Sequence, residues 1–320
     1  MQAYVARRLI QAIPALLGVT VIIFLLMRAL PGDAAVAVLA RRGEGGEGVT
    51  REAVAALREQ MGLNRPLHEQ YLDWLQRSVR LEFGESLYTR RPVLVDITQA
   101  LPVTLELASL GFLLALAIAL PIGILSAVRQ DSWQDYAGRI FAVGGLSVPE
   151  FWTGTMFILL PLLWFGWIPP VRLVPITQDP WGNLQQFLLP ALALGIHDAS
   201  NIMRLLRSSF LEVLRQDYIR TAWAKGLRER TVLVRHALKN ALIPVVTLIG
   251  VRIGRLLGGT VVLEQVFNLP GMGKLVIDGV LHRDYDVVQF VVLFFALAFV
   301  FVNLTVDLLY AWLDPRIRYA

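Results

Sequence analysis

Long apolar runs, separated by polar segments, set the pattern of the chain. Residues 9–27 carry no charged side chain, and their number is sufficient for one helix to cross the hydrocarbon core of a bilayer. Further runs follow at residues 101–128, 140–167, 184–206, 241–263 and 287–312. The pattern therefore predicts an all-α, polytopic membrane protein with six transmembrane helices.

The polar segment at residues 31–100 also carries helical patterns. Thr50 can cap a first helix that Gly62 ends, and a second helix can begin after Pro66. The predicted apolar faces consist of Val54, Leu57 and Met61 in the first helix and Leu67, Tyr71, Trp74, Leu75 and Val79 in the second. We predict a small packed cap rather than a catalytic unit.

Composition supports the assignment to the membrane. Hydrophobic residues make up 56% of the 320 residues, charged residues only 17%, and the mean hydropathy is +0.57. The absence of cysteine excludes disulfides and cysteine-ligated metal sites. The net charge of +5 is better explained by membrane orientation than by nucleic-acid binding. Arg7 and Arg8 precede the first run as in a signal peptide, but that run is long and LPGD follows it, so we predict an uncleaved first span.

The distribution of basic residues predicts the orientation. With six spans, one side of the membrane receives Arg7, Arg8, the basic residues between 204 and 239, Arg316 and Arg318. The short loops at 168–183 and 264–286 are poor in basic residues, and a loop as long as 31–100 has little influence on orientation. Both termini are therefore predicted to be cytoplasmic.

A basic, amphipathic segment lies between the fourth and fifth runs. Residues 204–239 contain nine Lys or Arg and three acids. Ile219 and Trp223 share one helix face, and Gly226 can end that helix. A second helical stretch is predicted at Val232–Leu238. Such a helix either rests on anionic lipid or docks a soluble partner.

Several strings decide between these alternatives. RTA at 220–222, with Gly226 four residues after Ala222, resembles the EAA-x3-G coupling motif of bacterial ABC importer permeases, although Arg220 stands where the general motif has Glu. The surrounding chain is similar to the oligopeptide/dipeptide permease branch of that family. The strings that carry this resemblance, in chain order, are PLHEQYLDWL, FGESLYTRRPV, LPVTLELA, PALALG, RLLRSSFLEVLRQDYIRTAWAKGL, VFNLPGMGKL and VDLLYAWLDPRIRY.

The resemblance implies the type I ABC importer transmembrane fold. Its parts would be an N-terminal helix at 1–30, an external loop at 31–100 and a five-helix core at 101–320 with a cytoplasmic coupling loop at 207–240. The chain would form half of a heterodimeric pore in a bacterial or archaeal inner membrane. The implied partners are a homologous second permease subunit, two ATPase subunits that bind ATP and Mg, and an extracytoplasmic substrate-binding protein.

The resemblance also implies which residues couple the permease to the ATPase. They are Asp217, Tyr218, Ile219, Thr221, Ala222, Trp223, Lys225 and Gly226. Tyr218, Ile219, Ala222 and Trp223 would provide apolar contact. Gly226 would provide a sharp turn.

Charged residues within the predicted spans are candidates for the transport pathway, because such groups usually face a cavity or each other. They are Glu106, Glu150, Asp198, Arg252 and Arg255. Arg252 and Arg255 share a helix face. They either pair internally with Asp198 or Glu150, or form a cationic patch that favours a carboxylate-bearing substrate.

No catalytic site is evident from the sequence. GMGK at 271–274 lacks the Ser or Thr of a phosphate loop, and the four histidines lack metal-ligand spacing. We therefore predict no metal site, no cofactor in this chain and no enzymatic activity. Nickel, glutathione and oligosaccharides remain alternative substrates within the family. A secondary transporter is the alternative class, but it would require internal repeats that the sequence does not show.

Overall fold

The computed structural model describes residues 2–30, 32–39 and 50–313, and this part of the chain is helical without β-strands. Its α-helices are α1 Gln2–Ala29, α2 Ala34–Leu39, α3 Arg51–Gln60, α4 Leu67–Val79, α5 Val93–Val128, α6 Trp133–Ser147, α7 Glu150–Phe165, α8 Pro180–Leu214, α9 Asp217–Ala224, α10 Glu229–Thr231, α11 Lys239–Gly259, α12 Val261–Val266, α13 Met272–His282 and α14 Tyr285–Leu313. A π-helix, Val232–Leu238, joins α10 to α11. The all-α prediction is confirmed. Arg316 and Arg318 of the predicted cytoplasmic tail lie outside the described residues.

Four segments of the described chain are long and apolar enough to cross a membrane. They are Ile10–Ala29, Val93–Val128, Glu229–Ile253 and Tyr285–Val306. Helices α6 and α7 supply a fifth crossing if the bent pair is one span. The remaining predicted span corresponds to α8, whose 35 residues suffice in length but which is less apolar than the others. The count of six therefore stays a prediction.

The third predicted span is not a continuous helix. α6 ends at Ser147, α7 begins at Glu150, and the two axes differ by 102°. Val148 and Pro149 between them have extended backbones. Proline causes this break, because it disfavours helical geometry in the preceding residue and has no backbone N–H to donate. The prediction of one helix over 140–167 is wrong for this reason.

Packing divides the chain into two compact units, the first of which contains residues 1–103 and 270–320. Here α1 packs on α14 and α4, and α13 packs on α14. A buried cluster at the centre consists of Trp74, Val93, Ile97, Ala100, Met272, Val287, Phe290 and Val291. Asp284, also buried, accepts hydrogen bonds from Ser86 Oγ (2.6 Å) and the Tyr88 backbone N–H (3.1 Å). These bonds attach the segment after α4 to the start of α14.

The two predicted helices of the outer loop are present. Thr50 Oγ1 accepts a hydrogen bond from the Ala53 backbone N–H at 3.2 Å and caps α3, and Gly62 has a φ of +66° beyond its end. The predicted apolar face of α4 is only partly correct. Trp74 is buried, whereas Leu67 and Val79 are exposed at the two ends of the helix.

The second unit contains residues 104–269, and α8 lies at its centre. α8 packs against α6, α7 and α11. Ile202, Met203, Leu206 and Phe210 on α8 are fully buried. α5 and α8 approach closely where a Cβ on Gly195 would lie 2.9 Å from the Gly111 carbonyl oxygen. The unit is therefore built around one long helix whose C-terminal end leads directly to the basic segment.

Candidate functional site

Helix α9 is a short element with well-defined ends. Two residues separate it from α8. At its start, the carbonyl of Gln216 accepts hydrogen bonds from the backbone N–H groups of Ile219 (3.0 Å) and Arg220 (3.2 Å). It ends where Gly226 adopts a φ of +74°. The Gly226 and Leu227 N–H groups donate back to the carbonyls of Trp223 and Ala222, as in a Schellman motif. The predicted helix and its glycine stop are confirmed.

The two faces of α9 have different surroundings. Ile219 is 0% and Ala222 is 5% exposed, and both belong to the buried cluster that includes Val232 and Ala237 of the π-helix. By contrast, 44% of Trp223 is exposed. Ile219 and Ala222 were predicted to provide apolar contact with a partner, but both side chains are covered by their own chain. These two side chains anchor α9 to its own chain.

The exposed residues of α9 and its C-cap form a polar and aromatic surface, which we call the coupling face. It consists of Asp217, Tyr218, Arg220, Thr221, Trp223 and Lys225. Asp217 and Arg220 form an exposed ion pair at 3.4 Å. The Tyr218 hydroxyl accepts a hydrogen bond from Asn240 Nδ2 at 2.7 Å, which fixes the ring at one edge of the face. This face can contact a partner, whereas the opposite face cannot.

The segment after α9 departs from regular α-helix. Val232–Leu238 is π-helical, and α9 packs against it. π-Helical turns are rare and often occur at functional sites. The predicted helical stretch at these residues is confirmed, but its π geometry was not predicted.

Three helices are joined close to the C-terminal part of α8 by a buried ion pair that we call the Asp135 clasp. Asp135 is fully buried, and its Oδ1 and Oδ2 each accept a 2.7 Å hydrogen bond from Arg207 of α8. Its Oδ1 also accepts a 2.5 Å hydrogen bond from Ser126 Oγ of α5, and its Oδ2 a 3.0 Å bond from the Asp131 N–H. Bidentate pairs of this kind have both strength and fixed geometry. The clasp was not evident from the sequence, because Asp135 belongs to a short charged segment that is typical of a solvated loop.

The charged residues of the predicted spans are partly brought together. Arg252 Nη1 of α11 donates to Asp198 Oδ1 of α8 at 2.9 Å, and both side chains are mostly buried. The internal-pair alternative is therefore confirmed for Arg252. Arg255 belongs to α11, but its side chain lies outside the part that the structure describes.

Glu150 lies beside this pair. It is the first residue of α7, directly after the break at Pro149, and it is within electrostatic range of Asp198. Its Oε1 is buried and has no hydrogen-bond partner within the described residues. We call Glu150, Asp198 and Arg252 the intramembrane charge cluster. Its described members are two carboxyl groups and one guanidinium group.

Glu106 and Glu264 differ from the cluster in their surroundings. Glu106 is half-buried on α5 and forms none of the contacts described for the cluster. Glu264 on α12 is fully buried and accepts a 2.7 Å hydrogen bond from Thr104 Oγ1. Glu264 was not among the predicted site residues, because its position in the sequence is at the start of a predicted external loop.

Comparison with known proteins covers nearly the whole chain. Residues 1–108 match the family described as the N-terminal part of the binding-protein-dependent transport system membrane component, and residues 119–319 match the family described as the binding-protein-dependent transport system inner membrane component. The chain belongs to this family. It is therefore a permease subunit of an ABC importer and a multi-pass membrane protein. This membership implies an ATPase, a substrate-binding protein and a second permease as partners, and it sets aside the secondary-transporter alternative.

Individual relatives agree with this assignment. A putative peptide transport system permease protein of Brucella abortus (strain 2308) is 40% identical over 319 residues, which cover 100% of both chains. A glutathione transport system permease protein of Salmonella typhi is 42% identical over 316 residues, or 99% of each chain. The crystal structure of an amino acid ABC transporter with histidines has a similar fold, with a TM-score of 0.53, 16% identity, and coverage of 70% of this chain and 94% of that chain.

Proposed function

We propose that this permease subunit forms half of a translocation pathway for peptides and is coupled to its ATPase through the coupling face. The observation that carries the proposal is that one face of α9 is buried and the other is exposed. Ile219 and Ala222 attach the helix to its own chain, while the aromatic and basic side chains on the other side remain exposed. A helix held in this way transmits the movement of a partner to the bundle instead of detaching from it.

The proposed energy source is a pair of ATPase subunits that bind ATP and Mg, while this chain binds no cofactor. Closure of the ATPase dimer would move α9 and shift the bundle from an inward-open towards an outward-open state. The Asp135 clasp supports this role because it fixes the helix that precedes α9 to two neighbouring helices. The surplus of basic residues around α9 supports a cytoplasmic location for this segment and for both termini.

Two names among the relatives support a peptide substrate. One relative is described as a peptide permease and another as a glutathione permease, and glutathione is itself a tripeptide. Nickel and oligosaccharides remain possible substrates of the wider family, but neither is named among these relatives. Glutathione is the second candidate substrate.

Co-purification tests the proposed assembly. We expect the affinity-tagged full-length chain, expressed with its genomic neighbours, to be recovered with one homologous permease and two ATPase subunits. Mass spectrometry of the intact complex gives the stoichiometry. Recovery of the chain as a stable assembly without an ATPase would contradict the proposal.

The intramembrane charge cluster suggests how a peptide is recognised. Asp198 already pairs with Arg252, which leaves Glu150 as the acid whose Oε1 lacks a partner within the described residues. This arrangement fits the ammonium group of a peptide better than its carboxylate. The cationic-patch alternative now rests on Arg255 alone.

Glu150→Gln tests this recognition. We expect the KM for a peptide with a free amino terminus to rise about tenfold, because one charge-assisted hydrogen bond is lost. The KM for the same peptide with an acetylated amino terminus should not change. Transport into proteoliposomes of the assembled importer provides the measurement, and Glu52→Gln on the exposed surface of α3 is the matched control. Equal effects on both peptides would exclude recognition of the ammonium group by Glu150.

A further inference from the structure

The first unit contains a cavity that the proposed transport mechanism does not use. Its volume is about 400 Å³, and it lies between the end of α1, the turn from α3 to α4, one side of α4 and the first turns of α14. This volume is within the range of sites that hold small ligands.

Four hydrogen-bond donors of the cavity lining have no acceptor within the described part of the chain. Arg28 Nη1, Trp74 Nε1, Arg77 Nε and Gln289 Nε2 are all buried and all lack a hydrogen-bond partner within the described chain. Trp74 and Gln289 are each only 2% exposed. Buried donors are nearly always paired in folded proteins, because an unpaired donor has lost its contact with water without replacement. Four such donors around one cavity indicate that an acceptor-rich group occupies it.

The guanidinium group of Arg28 is held in a fixed position. Its Nε and Nη2 donate to Gln70 Oε1 at 3.1 and 2.8 Å. Nη1 is the guanidinium nitrogen without a hydrogen-bond partner within the described residues. Gln70 Nε2 in turn donates to the carbonyls of Leu63 (3.2 Å) and Arg65 (2.8 Å), and these bonds determine which end of the amide faces Arg28. The guanidinium carbon also lies 4.5 Å from the ring centres of both Phe24 and Tyr285. The unpaired Nη1 therefore belongs to a preorganised side chain of the cavity lining.

The charges of the lining favour a negative ligand. Arg28, Arg65 and Arg77 face the cavity, as do Asp73 and Asp286. Asp73 Oδ2 forms an ion pair with Arg77 Nε at 3.5 Å, but it accepts no hydrogen bond from that nitrogen. A metal cation would meet donors that it cannot use. Water molecules in the cavity accept hydrogen bonds from individual donors, but they carry no charge and leave the positive surplus in place.

We infer that this cavity binds an oxyanion, a phosphate or carboxylate group, whose oxygens accept hydrogen bonds from Arg28, Trp74, Arg77 and Gln289. Guanidinium groups recognise such oxyanions through charge-assisted hydrogen bonds. The cavity is larger than a bare phosphate ion, so there is room for the organic group that carries the anion. The site belongs to a different unit from the coupling face, and the inference does not depend on the transported substrate.

Two sources can supply this oxyanion. The cavity adjoins the end of α1, whose residues 10–29 form an apolar span, so a phospholipid headgroup can reach it. A soluble phosphate or carboxylate can reach the same donors from the aqueous side. The binding chemistry is shared, and the experiment distinguishes the sources.

Fluorine NMR of the full-length chain in maltoside detergent, which contains neither phosphate nor carboxylate, provides the test. The protein is labelled with 5-fluorotryptophan at its eight tryptophans, and Trp74→Phe identifies the Trp74 resonance. We expect inorganic phosphate to shift this resonance saturably, whereas sodium chloride at equal ionic strength does not. In a parallel titration, phosphatidylglycerol is added to the micelles. A response to phosphatidylglycerol at lower concentration than to inorganic phosphate identifies a headgroup site, and the reverse order identifies a soluble anion.

Gln289→Glu is the decisive variant, because it places a carboxylate in the cavity without changing the size of the side chain. We expect the apparent affinity of the Trp74 resonance for phosphate to fall about tenfold or more. The matched control is Gln76→Glu, which makes the same change at an exposed position of α4 outside the cavity and should preserve the affinity of the wild type. If Gln289→Glu does not fold, as judged from the other seven resonances, Arg77→Gln serves in its place.

Two results would overturn the inference. One is a Trp74 resonance that responds to neither phosphate nor phosphatidylglycerol. The other is an unchanged affinity in both Gln289→Glu and Arg77→Gln, which would identify an adventitious ion only.

Discussion

Arg207→Ala is expected to lower the free energy of unfolding by about 3 kcal/mol, because it leaves the fully buried carboxylate of Asp135 without its charged partner. Ser126 and the Asp131 N–H still donate to this carboxylate, but neither carries a charge. Arg139 is 3.7 Å away and only partly compensates. The measurement is unfolding of the purified chain by sodium dodecyl sulfate in mixed micelles, followed by circular dichroism.

The control for this variant is Arg204→Ala, one turn earlier on α8. Arg204 is exposed, so we expect its loss to change the free energy of unfolding by less than about 0.5 kcal/mol. A double-mutant cycle with Asp135→Asn and Arg207→Gln should show that the two losses are not additive. Equal losses for the Arg204 and Arg207 variants, or strict additivity in the cycle, would show that the clasp does not stabilise this unit.

Trp223→Ala is expected to weaken association with the ATPase by at least about 30-fold while leaving membrane insertion and thermal stability unchanged. The indole is the largest side chain of the coupling face, and 44% of it is exposed before any partner binds. Tryptophan anchors of this kind typically contribute about 2 kcal/mol or more to an interface. The measurements are the affinity of the ATPase for the permease in nanodiscs and the substrate-stimulated hydrolysis of ATP by the complex.

Val234→Ala is the matched control for Trp223→Ala. Val234 is also apolar and exposed, but it belongs to the π-helix rather than to α9. We expect this variant to bind the ATPase with the affinity of the wild type. If Trp223→Ala supports normal affinity and normal stimulation of ATP hydrolysis, the coupling face is not the docking surface.

Because one face of α9 is buried and the other is exposed, substitutions on the two faces test different contacts. A change at Ile219 or Ala222 acts on the packing of α9 against its own π-helix, so lost transport would not by itself show a lost contact with a partner. Changes at Tyr218, Trp223 or Lys225 alter a surface that the chain leaves open. Measurements of stability separate the two cases.

Local signals in the sequence were sufficient to predict several of the helices and their ends. Long apolar runs predicted the apolar helices, Thr50 predicted the start of α3, and Gly226 predicted the end of α9. These features depend on interactions within a few residues, such as capping bonds and the backbone freedom of glycine. The family strings likewise follow one another along the chain, so they could be read without knowledge of its packing.

Only the tertiary structure showed which face of a helix such as α9 is buried and which is exposed. The amphipathic period of α9 marked Ile219 and Trp223 as one face, but it could not say that Ile219 is covered by its own chain. The sequence also did not show that the helix breaks at Pro149, because prolines at other positions, such as Pro14 in α1, remain inside a helix.

The Asp135 clasp joins residues 72 positions apart, and the Arg252–Asp198 pair joins residues 54 positions apart. Such contacts depend on the rotation of neighbouring helices and on the distance between them. Local sequence patterns predict neither the rotation nor the distance. The sequence by itself thus determined the all-α character of this protein, the ends of helices such as α3 and α9, and its family. The three-dimensional packing determined which of its charges are paired and which surface remains for a partner.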